Sequence, residues 1–371
     1  MATVTAPSTT AAQPRPSTQS NPCAAFFAAG ERHAELLDPP DTTYRTLWEA
    51  MRGAASGGKG ARPLLVTRTY EALGGTDLEV AAHVGDAVEL LHGAFVIHDD
   101  VIDHDTTRRG RPNVSGLFAR RARAAGATPE AAATFGDAAG ILAGDLAITG
   151  AITAVARTRA PQHVVAALLD LFEEAIRTTA AGELADVELS LGTIEPTLEQ
   201  VLKMEERKTA VYSFVLPLQA AATLVDSERA TTVLPILELL GRHLGLAFQL
   251  QDDVLGTFGD PEHTGKSNLT DLREGKHTPI IAHARTTGAW ESIAPFHGAA
   301  DLDEQGAAIA RSALEACGSR AFVEALAFDH MAAARALARA ADLPHDLVEW
   351  LGALPSHAAR QSRTARQSRA A

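Results

Sequence analysis

Three aspartates, Asp99, Asp100 and Asp103, fall within five residues, and about 150 residues later Asp252 and Asp253 form a second acidic pair. Each group ends an apolar stretch whose spacing predicts a helix. Asp99 and Asp103 stand four residues apart, so both project from one helix face, while Asp100 points about a quarter-turn away and suits a role in orienting metal-bound water. Two such helices facing each other would gather several carboxylates around one space. Unpaired, those charges repel and are costly to bury. A divalent cation with oxygen ligands resolves the conflict, and Mg²⁺ in such a setting is typically shared with substrate phosphates. The plainer reading is an acidic helix end neutralised by arginines. It is weakened because aspartate at a helix C-terminus opposes the helix dipole.

Cations follow both acidic groups. Arg108 and Arg109 trail the first, and their planar forks suit oxyanions such as diphosphate. Lys266 and then Asp271-Leu272-Arg273-Glu274-Gly275-Lys276 trail the second. The chain has five lysines (Lys59, Lys203, Lys208, Lys266 and Lys276) against 28 arginines, so lysine is kept where a compact ammonium matters. Lys59, Lys266 and Lys276 each follow glycine, which lets backbone approach an anionic group closely. His92 shares a face with Val88 and Phe95, and by spacing alone reads as a core histidine. Gln249 by itself is a polar helix residue, Tyr212 and Phe214 read as core, and His98 and His104 are not read as ligands. Glu183 and Asp186 are expected to be structural partners near the pocket.

The elements that must position these residues are helices. Val80, Val84, Val88, Leu91 and Phe95 form one stripe running into Asp99; Leu168, Leu171, Phe172 and Ile176 form another. A third, Leu237, Leu240, Leu244, Ala247 and Leu250, leads to Asp252. No repeated β pattern is evident, and the chain reads as an all-α bundle of roughly a dozen helices. Gly/Ala/Ser-rich residues 53–60, the basic turn 108–112 and residues 256–275 are loops rather than interdomain linkers. One helical domain over residues 24–355 is expected, with a disordered N-terminal tail over 1–23 and a basic C-terminal tail over 356–371 that repeats Ala-Arg-Gln-Ser-Arg.

The 371 residues are 46% apolar but only 5% aromatic, so Ala, Leu and Val must do most of the packing. A formal charge of −13 argues against a nucleic-acid partner. Two cysteines, Cys23 and Cys317, give neither a disulfide framework nor a zinc spacing and fit a reducing, cytoplasmic setting. The N-terminus lacks a basic start followed by an apolar segment, so no signal peptide is expected, and no uninterrupted apolar run reads as a transmembrane segment.

The motifs together resemble those of the trans-isoprenyl diphosphate synthases, the polyprenyl synthetase family, over about residues 55–280. Gly57-Gly58-Lys59-Gly60-Ala61-Arg62-Pro63 is similar to that family's isopentenyl diphosphate loop, with Gly60 in place of an arginine. Asp99 to Asp103 with Arg108 and Arg109 match the first Asp-rich motif. Gly144-Asp145 and Lys208-Thr209 resemble two further elements, the latter a contact to the allylic diphosphate. Gln249 to Asp253 match the second Asp-rich motif, where Gly256 replaces the usual last aspartate. Metal binding on that side then rests on Asp252, with Asp253 behind it and Asp260 a candidate substitute.

The resemblance implies an orthogonal helix bundle with a central cavity, a Mg²⁺-dependent prenyltransferase, and a homodimer. Asp99, Asp100, Asp103, Asp252 and Asp253 would serve the metal; Arg108, Lys208, Thr209, Gln249, Lys266 and Lys276 would bind the allylic diphosphate or line the cation. Lys59, Arg62, His92 and Arg109 would hold isopentenyl diphosphate. Ala94 and Phe95, five and four residues before Asp99, would set product length. Small Ala94 at the deeper position points to C20 geranylgeranyl diphosphate, with C15 farnesyl diphosphate as the alternative. A class I terpene cyclase and a non-catalytic synthase subunit remain as rivals. Asp252-Asp253, Lys59, Arg62 and Arg109 argue against the cyclase, whereas the Gly60 and Gly256 departures keep the subunit in play.

Overall fold

The structure is a computed structural model that describes residues 22–37, 39, 41–55, 60–259 and 270–353. Lys59, Asp260, Lys266 and all but the last residues of the expected N-terminal tail lie outside it, as does the C-terminal tail. Helix α1 (Pro22–Leu36) already begins within the span expected to be tail.

The chain is helical nearly throughout. After α1 come α2 (Thr42–Ala55), α3 (Ala61–Ala72), α4 (Leu78–Ile102), α5 (Val114–Ala124), α6 (Pro129–Ala156), α7 (Gln162–Ser190) and α8 (Leu198–Glu205). A π-helical stretch, Glu206–Val215, continues directly into α9 (Leu216–Val225), and α10 (Glu228–Phe258) follows. Shorter helices lead to the long helix Ser319–Ala340. Local chemistry fixes many starts. Asp77, Asn113, Thr128 and Ser227 each accept a backbone N–H from three residues on at the starts of α4, α5, α6 and α10. Thr197 and Gln200 close a reciprocal capping box at α8.

The basic turn is a minimal antiparallel hairpin pairing Thr107 with Pro112 and Arg108 with Arg111. Its two central residues, Arg109 and Gly110, both have positive φ, at 55° and 71°. That backbone is the one a two-residue hairpin needs.

Helix α4 is the spine. Ala81, Val84, Ala87, Val88, Leu91 and Ala94 on it are fully buried, so it is covered on nearly every side rather than along a single stripe. Its main neighbour is α6, where Ala139, Gly140, Ala143, Gly144 and Ala147 allow close approach. Phe172 and Leu168 of α7, with Leu216 and Ala220 of α9, complete that core. Each large apolar side chain buried there stabilises the fold by about 1.5–3 kcal/mol. A second core joins α10 to α3, α9 and the helix Ser319–Ala340; a third surrounds the C-terminal half of α10.

Helices α4, α6 and α10 are each long and apolar enough to cross a membrane by length and composition. Single polar residues interrupt them without lowering their mean hydropathy much, which a search for uninterrupted runs misses. About half of each apolar window is buried against other helices (61%, 44% and 50%), so part of this apolar surface serves helix packing.

Candidate active site

At the C-terminal end of α4, Asp99 and Asp103 come out beside the hairpin, α7, the π stretch and the segment after α10. Lys208, on the π stretch, places its ammonium 3.1 Å from Asp99, 3.1 Å from Glu183 and 2.7 Å from Asp186, the last two on α7. From the hairpin, Arg108 donates through one terminal nitrogen to Asp99 at 3.0 Å and through Nε to Asp100 at 2.7 Å. Lys276 lies 3.5 Å from Asp103 and 3.3 Å from Glu274. The loop that follows the second acidic pair therefore reaches the first.

These neighbours sort the carboxylates. Burial works against ionisation of Asp99, but Lys208 and Arg108 outweigh it and hold the acid below its usual range. Asp100 is buried, and despite Arg108 its acid is pushed up to about 6. It turns inward as the anchor of Arg108 rather than outward beside Asp99. Burial also raises Asp103, against the pull of Lys276. For Lys208, Asp186, Asp99 and Glu183 more than offset the burial that would discharge it, so it stays an ammonium.

On α10 the two acids diverge. Asp252 is exposed, and Asp253 is buried and accepts a hydrogen bond from Gln249 at 3.0 Å. Burial, with Asp252 and Asp271 nearby, pushes Asp253 up to about 7. Its partner is Glu205, fully buried and raised well above the usual range by burial and by Asp253. Burial and neighbouring carboxylates therefore push both acids of this pair toward the protonated form. Nothing in the spacing of Glu205 marked it, since it sits in an acidic-basic run that reads as a solvated face.

Asp271 was quoted in the sequence without a role. A side chain built on Gly256 would place its Cβ 2.3 Å from Asp271 Oδ2. The carboxylate missing at position 256 is thus replaced in space by one from the helix Thr270–Arg273.

A second group lies on the other side of Phe95. His92 Nδ1 is 3.3 Å from the Tyr212 hydroxyl and the rings stack; Phe95 meets the same tyrosine edge-on at 5.0 Å. The Arg62 guanidinium donates to Ser213 Oγ at 2.9 Å and lies 5.4 Å from the Tyr212 ring centroid. Burial and then Arg62, Arg109 and Arg108 hold the His92 imidazole well below its usual pKa, so it is neutral among cations. Tyr212, read from sequence as core, is the hub of this group. Ala94 is wholly buried in the main core, and Thr209 is half-buried on the π stretch.

Close packing makes this arrangement possible. A Cβ at Gly182 would sit 2.3 Å from the Lys208 backbone nitrogen, and one at Gly144 would sit 2.1 Å from His98. Gly144 is therefore glycine because His98 packs over it, 3.5 Å from Asp145. Among the described residues, cavities of about 360 and 250 Å³ are lined by other residues than those of this recess: one among α1–α4 and α6, the other among α7, the π stretch, α9 and α10.

Among the described residues no three His, Cys, Asp or Glu side chains converge tightly enough to cage a metal alone. The site instead offers oxygen donors already engaged by cations, a donor set that fits a hard ion such as Mg²⁺ carrying much of its own water.

A sequence model of the polyprenyl synthetase family matches residues 45–307. A (2E,6E)-farnesyl diphosphate synthase of Mycobacterium tuberculosis is 34% identical over 312 residues, covering 80% of each chain. A geranylgeranyl diphosphate synthase of Methanosarcina mazei is 31% identical, covering 80% of this chain and 84% of its own. Among solved structures, the Corynebacterium glutamicum geranylgeranyl pyrophosphate synthase, complexed with isoprenyl diphosphate and magnesium, superposes with a TM-score of 0.81 at 27% identity. That match covers 91% of this chain and 96% of the other. Fold, motifs and relatives agree: the chain belongs to the polyprenyl synthetase family and is a trans-prenyltransferase of the short-chain type.

Proposed function

We propose that the protein condenses isopentenyl diphosphate head-to-tail with an allylic diphosphate to give geranylgeranyl diphosphate. The observation that carries this reading is the charge imbalance of one half-buried recess. Among the described residues Asp99, Asp100, Asp103, Glu183 and Asp186 pair with just three cations, Arg108, Lys208 and Lys276. Such an excess suits divalent cations and the diphosphate they accompany.

Asp99, Asp103 and Asp252 would hold Mg²⁺, with Asp271 in the place left by Gly256. When bound, the metal supplies Lewis-acid charge neutralisation at the leaving diphosphate. Arg108 and Lys208 stabilise the same departing oxygens as the allylic C–O bond breaks. Arg62, Arg109 and neutral His92 bind the second diphosphate, which sets the alkene of isopentenyl diphosphate toward the cation. The alkene's electrons form the new C–C bond, and the released diphosphate takes the proton lost from the adjacent carbon. Tyr212 and Phe95 wall the space between the two groups and exclude water, which would quench the cation.

The C20 assignment rests on small Ala94 beneath Phe95 and on the geranylgeranyl synthases among the relatives; farnesyl synthases among them make C15 the alternative. The apolar residues Phe135, Ile141 and Leu142, exposed on α6, support a homodimer through that face.

The test is to offer purified protein, Mg²⁺ and labelled isopentenyl diphosphate with dimethylallyl, geranyl or farnesyl diphosphate, then size the dephosphorylated products. A C20 alcohol supports the reading, and a C15 limit keeps the transferase but discards the length assignment. Absence of elongation with every starter overturns the reaction.

A further inference from the structure

His243 of α10 and His330 of the helix Ser319–Ala340 face each other with Nδ1 atoms 2.9 Å apart and ring centroids 5.0 Å apart. Other histidines turn ring nitrogens to oxygen: His83 to the Ala154 carbonyl at 2.7 Å, His163 to Asp226 at 2.8 Å, His297 to the Lys276 carbonyl at 3.2 Å. Two imidazole nitrogens this close must share a proton, one donating and one accepting. A cation in place of that proton would use both lone pairs at once. Two metal–nitrogen bonds of about 2.05 Å at a right angle put their nitrogens about 2.9 Å apart, the separation seen here.

Burial keeps both imidazoles neutral, the form that ligates a metal, while nearby carboxylates would offset a cation's charge. Glu206 and Asp329 lie within electrostatic reach of the pair. Arg242, next to His243 in the chain, is bound by both Glu206 and Glu238. Both rings are only partly buried, which leaves room for water to complete a coordination shell. No third His, Cys, Asp or Glu among the described residues closes on the pair, so the protein supplies two ligands.

We propose that His243 and His330 form a two-imidazole site for a late first-row divalent cation, of which Ni²⁺ is the probe. The site clamps α10 to the helix Ser319–Ala340. It is distinct in chemistry from the carboxylate recess: imidazole suits Ni²⁺, Cu²⁺ and Zn²⁺, whereas carboxylate and water suit Mg²⁺. The site stands whether or not the prenyl-transfer reading does. An ion bound only by the folded chain stabilises it by mass action.

The full chain, with Mg²⁺ in excess to occupy the carboxylates, is titrated with Ni²⁺ by calorimetry and melted with and without the metal. The expected result is one Ni²⁺ per chain and a raised Tm, both lost in His330→Ala and in His243→Gln. Circular dichroism and a cooperative melt without Ni²⁺ show that each variant is folded, and His330→Gln replaces His330→Ala if the latter fails to fold. No Ni²⁺ uptake by the parent protein overturns the proposal, as does uptake that the histidine substitutions leave unchanged.

Discussion

At the scale of single residues, Lys208 is the side chain on which most of the recess depends. It neutralises Asp99, Glu183 and Asp186 together, so Lys208→Ala leaves three acids facing one another. We expect kcat to fall by about 10²–10³-fold with helicity retained, read by steady-state kinetics and circular dichroism. Asp271 makes a sharper case. Asp271→Asn should weaken Mn²⁺ binding measured by electron paramagnetic resonance, and Gly256→Asp combined with Asp271→Ala should recover part of it. If the double variant binds no better than Asp271→Ala, the two positions are not interchangeable. Phe95→Ala should lengthen the product by at least one isoprene unit; unchanged chain length in extracted products would remove Phe95 as a length determinant. The residues carrying charge or ligand chemistry at fixed spacing, such as Asp99, Asp103, Arg108, Lys208 and Lys276, were legible in the sequence, and the structure gathers them. Glu205 and Asp271 had no assigned role there, because theirs follow from how two helices pass each other. Tyr212 was read as core, and it is buried in the main core; its second role, against His92, Phe95 and Arg62, depends on neighbours that spacing does not give.

At the scale of elements, helix periodicity and caps were legible because they are local. What periodicity cannot give is which faces touch. The stripe ending at Phe95 described one side of α4, and the structure buries nearly all sides. Gly182 shows how such contacts bear on chemistry. Its missing Cβ lets α7 approach the backbone at Lys208, and the same approach brings Glu183 and Asp186 to the ammonium. Gly182→Ala would force the two segments apart. Overpacking of this kind costs about 1–3 kcal/mol, and activity should fall more than the loss of stability explains. Equal activity at a temperature well below both Tm values would mean that the approach is not needed for function.

At the scale of the whole molecule, the titration behaviour follows from burial. His92, His243, His277, His283, His297 and His330 all have pKa values lowered chiefly by desolvation. The unfolded chain therefore takes up protons first as pH falls. Stability from these groups is fully present above about pH 6.5 and is lost as pH drops from there toward the folded-state values. Because the raised carboxylates Asp100 and Asp253 act in the opposite sense, the histidine contribution is read as a difference: between pH 6.5 and 5.5 the urea midpoint of the parent should fall relative to that of His92→Gln, which lacks the most desolvated of the six. An unchanged difference between the parent and His92→Gln across that interval would contradict this.

The ten-residue π stretch between α8 and α9 also bears on how such a chain can change over generations. A π turn holds one residue more than an α turn, so this stretch behaves as an absorbed insertion. Deleting a single residue from it would let the rod relax to uniform α-helix with both flanking helices still in place, while side chains within the stretch turn by about 100°. Lys208, Thr209 and Tyr212 could not then all keep their present directions. Substitutions here can be tried one at a time, but a shift in reading length cannot, and the segment should therefore tolerate changes of letter far better than changes of count.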